Sequence, residues 1–176
     1  MRVIAGALKG RRLKTPTWTG LRPTSDKLRE TLFNILAPRI VGARVLDGFA
    51  GTGAIGIEAL SRGAARVTFV DRDRRALALI AANLAHCGVA EGYVMIRASV
   101  SRALTDLRAE SFDIMIFDPP YDHQPSAVLA AAASCLAANG VLALEHALRH
   151  PSPEAAGRLV RTRQVVSGDS ALSFYS

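Results

Sequence analysis

From Ala43 to His146 the chain alternates short apolar runs with longer segments of helical spacing. The apolar runs are "ARVLD", "ARVTFVD", "YVMIR", "FDIMIFD" and "GVLALEH". Between them lie "AIGIEALSRG", "RDRRALALIAANLAHCG", "SRALTDL" and "SAVLAAAASCLAANG", which read as helices closed in three cases by glycine. Strands that are apolar without a break, each followed by a helix, belong to a parallel sheet covered on both faces. The C-terminal "RLVRTRQVVSGDSALSFYS" breaks this rhythm. It reads as two strands joined near Gly168-Asp169, an antiparallel hairpin closing the domain.

A length of 176 residues fits one domain with a substantial core. No apolar run approaches the roughly 20 residues needed to cross a bilayer. The N-terminal "MRVIAGALKGRRLK" is basic but lacks the apolar stretch of a secretion signal. Cys87 and Cys135 have no metal-ligand spacing and read as reduced core thiols, so a cytoplasmic protein is expected.

The net charge of +7 has a location. Residues 1–39 hold nine basic side chains against Asp26 and Glu30, while the other residues balance to zero. Such concentration points to a polyanionic partner. The segment is expected to form two short strands, Arg2–Ala7 and Arg11–Thr15, joined around Lys9-Gly10. A loop follows, then a helix "DKLRETLFNIL" capped by Thr24 or Ser25 and ended by Pro38.

Two strand ends carry chemistry. The first apolar strand runs into "LDGFAGTGAIG", where Asp47 closes the strand and Gly51 and Gly53 permit a tight turn close to a ligand. The next strand ends at Asp71, where nucleotide-binding α/β folds carry the carboxylate that takes ribose hydroxyls. No lysine follows the glycines, which excludes a triphosphate-binding loop. The fourth strand ends in "DPPY", Asp118 to Tyr121: an acceptor, two prolines that cannot continue a ladder, and an aromatic ring.

These residues together resemble S-adenosylmethionine-dependent methyltransferases that modify exocyclic amines. More narrowly, "MRVIAGALKGRRLKTP", "GLRPTSDKLRETLFNIL", "FAGTGAIGIEALSRGA" and "DPPY" are similar to the bacterial 16S ribosomal RNA guanine-N2 methyltransferases, the RsmD family. The resemblance covers nearly the whole chain. It implies a Rossmann-like class I methyltransferase, with a seven-stranded, mostly parallel sheet, an antiparallel C-terminal hairpin and an N-terminal β-hairpin. It implies S-adenosylmethionine as cofactor, with no metal, held by Asp47, Phe49, Ala50, Gly51, Gly53, Asp71, Arg72 and Ser99. Asp118, Pro119, Pro120 and Tyr121 are the implied catalytic residues. Arg2, Lys9, Arg11, Arg12, Lys14 and Arg22 are the implied contacts to 16S rRNA within the small ribosomal subunit, the Arg22–Thr24 loop closing over substrate or cofactor. Gly48 stands where a larger apolar residue is usual, Asp71 where many relatives carry Glu, and Ser99 where an acid often meets adenine.

An aromatic amine is a poor nucleophile because its lone pair is delocalised into the ring. Asp118 and the Pro119 carbonyl can accept its two N–H bonds and turn that lone pair outward, while Tyr121 offers a face for a flipped-out base. Three alternatives stay open, of which a protein glutamine methyltransferase would more typically show Asn before the two prolines. A DNA adenine-N6 methyltransferase uses the same turn but commonly has a separate recognition region, for which this chain has no room. A non-catalytic RNA-binding module could keep the fold and the basic arm.

Overall fold

The computed structural model describes residues 1–18, 26–107, 112–120 and 125–176. In chain order the elements are α1 (Asp26–Ile40), β1 (Arg44–Gly48), α2 (Ala54–Ser61), β2 (Arg66–Asp71), α3 (Arg74–His86), β3 (Tyr93–Arg97), α4 (Val100–Asp106) and β4 (Phe112–Phe117). Then come α5 (Ser126–Ala132), β5 (Leu136–Ala147), β6 (Ala155–Ala156), β7 (Leu159–Ser167) and β8 (Ser170–Tyr175). All eight strands join one sheet in the order β3-β2-β1-β4-β5-β8-β7-β6. The first five are parallel, and β8 enters antiparallel between β5 and β7. The strand order reverses between β1 and β4. A crevice beyond the carboxyl ends of these two strands is where such sheets bind ligands.

Alternation along each strand feeds two cores. Val45, Phe69, Ile114, Ile116 and Ala143 pack with α1, α2 and α3 on one face. Leu46, Val70, Met115, Phe117, Leu142 and Leu144 pack with α4 and α5 on the other. Among the described residues no helix is long and apolar enough to cross a membrane.

The structure departs from the sequence expectation at four places. The sheet has eight strands rather than seven, because the two-residue β6 pairs with β7. The helix expected through Gly140 stops at Ala132. The Cys135 carbonyl instead accepts the Phe112 N–H, and Leu136 pairs with Phe112, so strand pairing overrides the helix propensity of the alanine run. Pro38 lies inside α1, which continues to Ile40. In the last turn proline costs one hydrogen bond and the helix runs only two residues further. The N-terminal hairpin keeps a single bridge, Arg2 to Arg12. Val3, Lys9, Gly10 and Arg11 donate within the hairpin, whereas other N–H groups are drawn to α2: Ile4 and Ala5 donate to the buried Glu58 carboxylate at 2.7 and 3.0 Å, and Leu8 to Ser61 Oγ at 2.9 Å.

Candidate active site

The turn after β1 is built from backbone that favours glycine. Gly51 and Gly53 have φ of 55° and 76°, and Phe49 joins them at 64°. A β-substituted residue in this region is strained, and such strain is tolerated where a ligand site needs the geometry. A Cβ on Gly53 would stand 3.0 Å from Ile80, and one on Gly56 would meet the Phe69 ring at 2.1 Å, so α2 approaches β2 closely. A Cβ on Gly48 would meet Phe117 at 2.6 Å. The absence of a side chain at Gly48 therefore makes room for the Phe117 ring, which meets Phe49 edge-on at 6.2 Å.

Asp47 is almost fully buried beneath this turn and accepts the Gly56 N–H at 2.8 Å. It thereby serves the first turn of α2, whose N-cap Gly53 offers no side chain. Burial pushes the Asp47 carboxyl well above the ordinary aspartate range, and the nearby charges of Asp118 and Asp71 push it further. Asp71 ties β2 to the same turn. Its Oδ2 accepts the Gly51 N–H at 2.9 Å and its Oδ1 accepts the Asp73 N–H at 2.8 Å. Ala50 completes the link, donating to the Val70 carbonyl at 3.0 Å.

Asp118 leaves β4 half-buried, followed by buried Pro119 and exposed Pro120. Phe49, Phe117, Pro119, Pro125, Val128, Leu129 and Leu144 line an apolar crevice beside them. Arg72 is exposed in the turn after β2. Ser99 is also exposed, and its hydroxyl caps α4 by accepting the Arg102 N–H at 3.3 Å, a structural use that the sequence reading did not foresee. Thus Asp47, Phe49, Ala50, Gly51, Gly53, Asp71 and Asp118 converge on one rim, while Ser99 stands at the end of the outermost parallel strand. Tyr121 and Arg22, with the rest of the Arg22–Thr24 loop, lie outside the described residues. No group of His, Cys, Asp or Glu suited to a metal ion occurs among the described residues. Both cysteines are buried and free.

Arg2, Lys9, Arg11, Arg12 and Lys14 are all exposed on the N-terminal arm. Among the polar residues that fasten the arm to the core are Glu58 and Asn83, neither of which the sequence alone singled out. Both interrupt otherwise apolar helix faces: Glu58 stands in "AIGIEALS", and Asn83 follows Ala76 and Ile80 on the buried side of α3. A lone polar residue at a core position was the available signal.

A family model described as "Conserved hypothetical protein 95" matches residues 1–176. YlbH of Bacillus subtilis, whose name assigns it provisionally to the rRNA methyltransferases, is 38% identical over 180 residues, 99% of this chain and 98% of its own. Ribosomal RNA small subunit methyltransferase D of Escherichia coli is 43% identical over 121 residues, which are 69% of this chain and 60% of that protein. This chain belongs to the RsmD family of rRNA methyltransferases. The structure agrees with that membership. The solved structure of Escherichia coli yhhF, assigned provisionally to the methyltransferases, superposes with a TM-score of 0.87 at 32% identity, covering 99% of this chain and 96% of that one. RsmD-family identity accounts for the class I topology.

Proposed function

We propose that this chain transfers a methyl group from S-adenosylmethionine to the exocyclic N2 amine of a guanine in 16S rRNA, within the small ribosomal subunit. The observation that carries the proposal is the meeting of the Gly51–Gly53 turn, Asp71 and Asp118 at the strand-order reversal. The residues fit the cofactor: each Asp71 oxygen is steadied by one backbone N–H and keeps a lone pair for a ribose hydroxyl. The glycine turn lets backbone approach the ligand without side chains in the way.

When bound, S-adenosylmethionine supplies a methyl group already activated on a sulfonium. The protein's own task is then to orient and desolvate. Asp118 and the Pro119 carbonyl accept the two amine N–H bonds and aim the nitrogen lone pair. Tyr121 stacks on the extruded base, returning about 1–3 kcal/mol against an unstacking cost of a few kcal/mol. Residues 1–176 act as one methyltransferase domain, with residues 1–39 as the basic arm and helix and residues 43–176 as the cofactor-binding and catalytic core. Arg2, Lys9, Arg11, Arg12, Lys14 and Arg22 contact phosphates. The reaction runs in the cytoplasm and needs neither a metal nor an obligate protein partner.

Steady-state transfer by three variants tests the assignment, with cofactor affinity measured separately. Asp118→Ala is expected to lose most turnover with near-normal cofactor affinity. Tyr121→Ala is expected to fall about ten- to a hundredfold in kcat/KM, and Tyr121→Phe to retain most activity. An active Asp118→Ala sinks the amine-orienting role. Equal damage in the two Tyr121 variants sinks the stacking role.

A further inference from the structure

β5 brings a second acid to the rim beside Asp118. In the parallel β4–β5 pair the last matched residues are Phe117 and Leu144, and the next along each chain are Asp118, just past the end of β4, and Glu145. Phe117 and Leu144 point into the α4–α5 core, whereas Ile116 and Ala143 point into the other. Glu145 continues this alternation, because β5 stays in its ladder with β8 through Ala147, pairing Glu145 with Leu172 of the same core as Ala143. Asp118 follows Ile116 of that same core by two residues, so the alternation places it on the same face. Glu145 is only 7% exposed.

Neighbouring strands lie about 4.8 Å apart, so Asp118 and Glu145 can address adjacent groups on one base. Guanine presents two donors side by side, N1–H and the N2 amine. Adenine presents its amine beside an N1 acceptor. An ionised carboxylate only accepts, so a second one beside the amine suits guanine and repels a base with a bare N1 lone pair. We infer that Glu145 accepts the N1–H of the target guanine while Asp118 holds its N2 amine, making Glu145 a specificity-determining residue. This inference rests on the guanine-N2 proposal above.

The test replaces the target guanine, located with the wild-type enzyme, by 2-aminopurine, which keeps the N2 amine but has no hydrogen on N1. Wild type is expected to prefer guanine by about ten- to a hundredfold in kcat/KM. Glu145→Gln offers an amide donor to N1, so transfer to 2-aminopurine should rise and the preference collapse toward parity. Glu145→Ala should lose the preference by losing guanine activity alone. Unchanged cofactor affinity in both variants checks the fold. A Glu145→Gln enzyme that keeps the wild-type ratio overturns the role of Glu145, because a purely structural acid would not alter base choice. Wild-type modification of a natural base other than guanine in unsubstituted 16S rRNA overturns the underlying proposal as well, so the two failures are distinguishable.

Discussion

Lys14 and Asn83 hold each other by a reciprocal pair of hydrogen bonds: the Lys14 N–H donates to Asn83 Oδ1 at 2.7 Å, and Asn83 Nδ2 donates to the Lys14 carbonyl at 3.2 Å. The same Nδ2 donates to the Thr52 carbonyl at 3.0 Å. One fully buried amide therefore joins the basic arm to the glycine turn. Asn83→Ala takes the buried hydrogen bond from the Thr52 carbonyl, a loss of about 1–3 kcal/mol, and releases the Lys14 backbone groups, which lie at a more exposed position. We expect the apparent melting temperature to fall by about 5–10 °C, together with weaker S-adenosylmethionine binding. Thermal unfolding and a cofactor titration check this; an unchanged melting temperature contradicts the bridge.

The arm's phosphate contacts should be tested by charge, not by removal. Val3 and Leu13 are buried, and the Glu58 carboxylate depends on the Ile4 and Ala5 N–H groups. Deleting residues 1–15 would therefore unfold the core as readily as it would weaken RNA association. Lys9→Gln combined with Arg12→Gln leaves those contacts in place. Each lost phosphate contact should lower the slope of log affinity against log salt by about 0.7–0.9. An unchanged slope in the folded double variant would make those side chains a solvated face.

The parallel core was legible because each strand from Arg44 to Phe117 carries a mainly apolar run and the helices between them have their own spacing. The rim was legible because Asp47, Asp71 and Asp118 each close a strand. The α5–β5 boundary was not: "AAAASCLAANG" favours helix locally, and only its pairing with Phe112 makes Leu136 strand. The arm's course was equally hidden. Its N–H groups find Glu58 and Ser61 more than 50 residues away, a partnership that no local pattern encodes. Glu145 carries no signal in the local pattern "GVLALEH"; it comes into view only through the register that sets Phe117 opposite Leu144.

Asp47 gives a pH prediction of definite sign. Its folded carboxyl is raised by burial above its unfolded value. Between those two values the native protein holds a proton that the unfolded chain releases, so this group's contribution falls as pH rises through the window. Asp47→Asn removes the titration and keeps an acceptor for the Gly56 N–H. The ligand-free variant should be more stable than wild type at neutral pH, the difference vanishing below about pH 3, where both forms of the wild-type group are protonated. Melting temperatures of the two proteins against pH provide the check. A constant offset across the range would contradict a buried, titrating Asp47.

The central claim is the identity of the methylated atom. The most direct measurement incubates the protein with labelled S-adenosylmethionine and, in parallel, small ribosomal subunits, naked 16S rRNA and DNA, then digests each to nucleosides and identifies the labelled product. Label is expected in N2-methylguanosine from the small subunit, with none in DNA. Label in N6-methyladenine from DNA, or no transfer to any of the three by a protein that binds the cofactor, would contradict that claim.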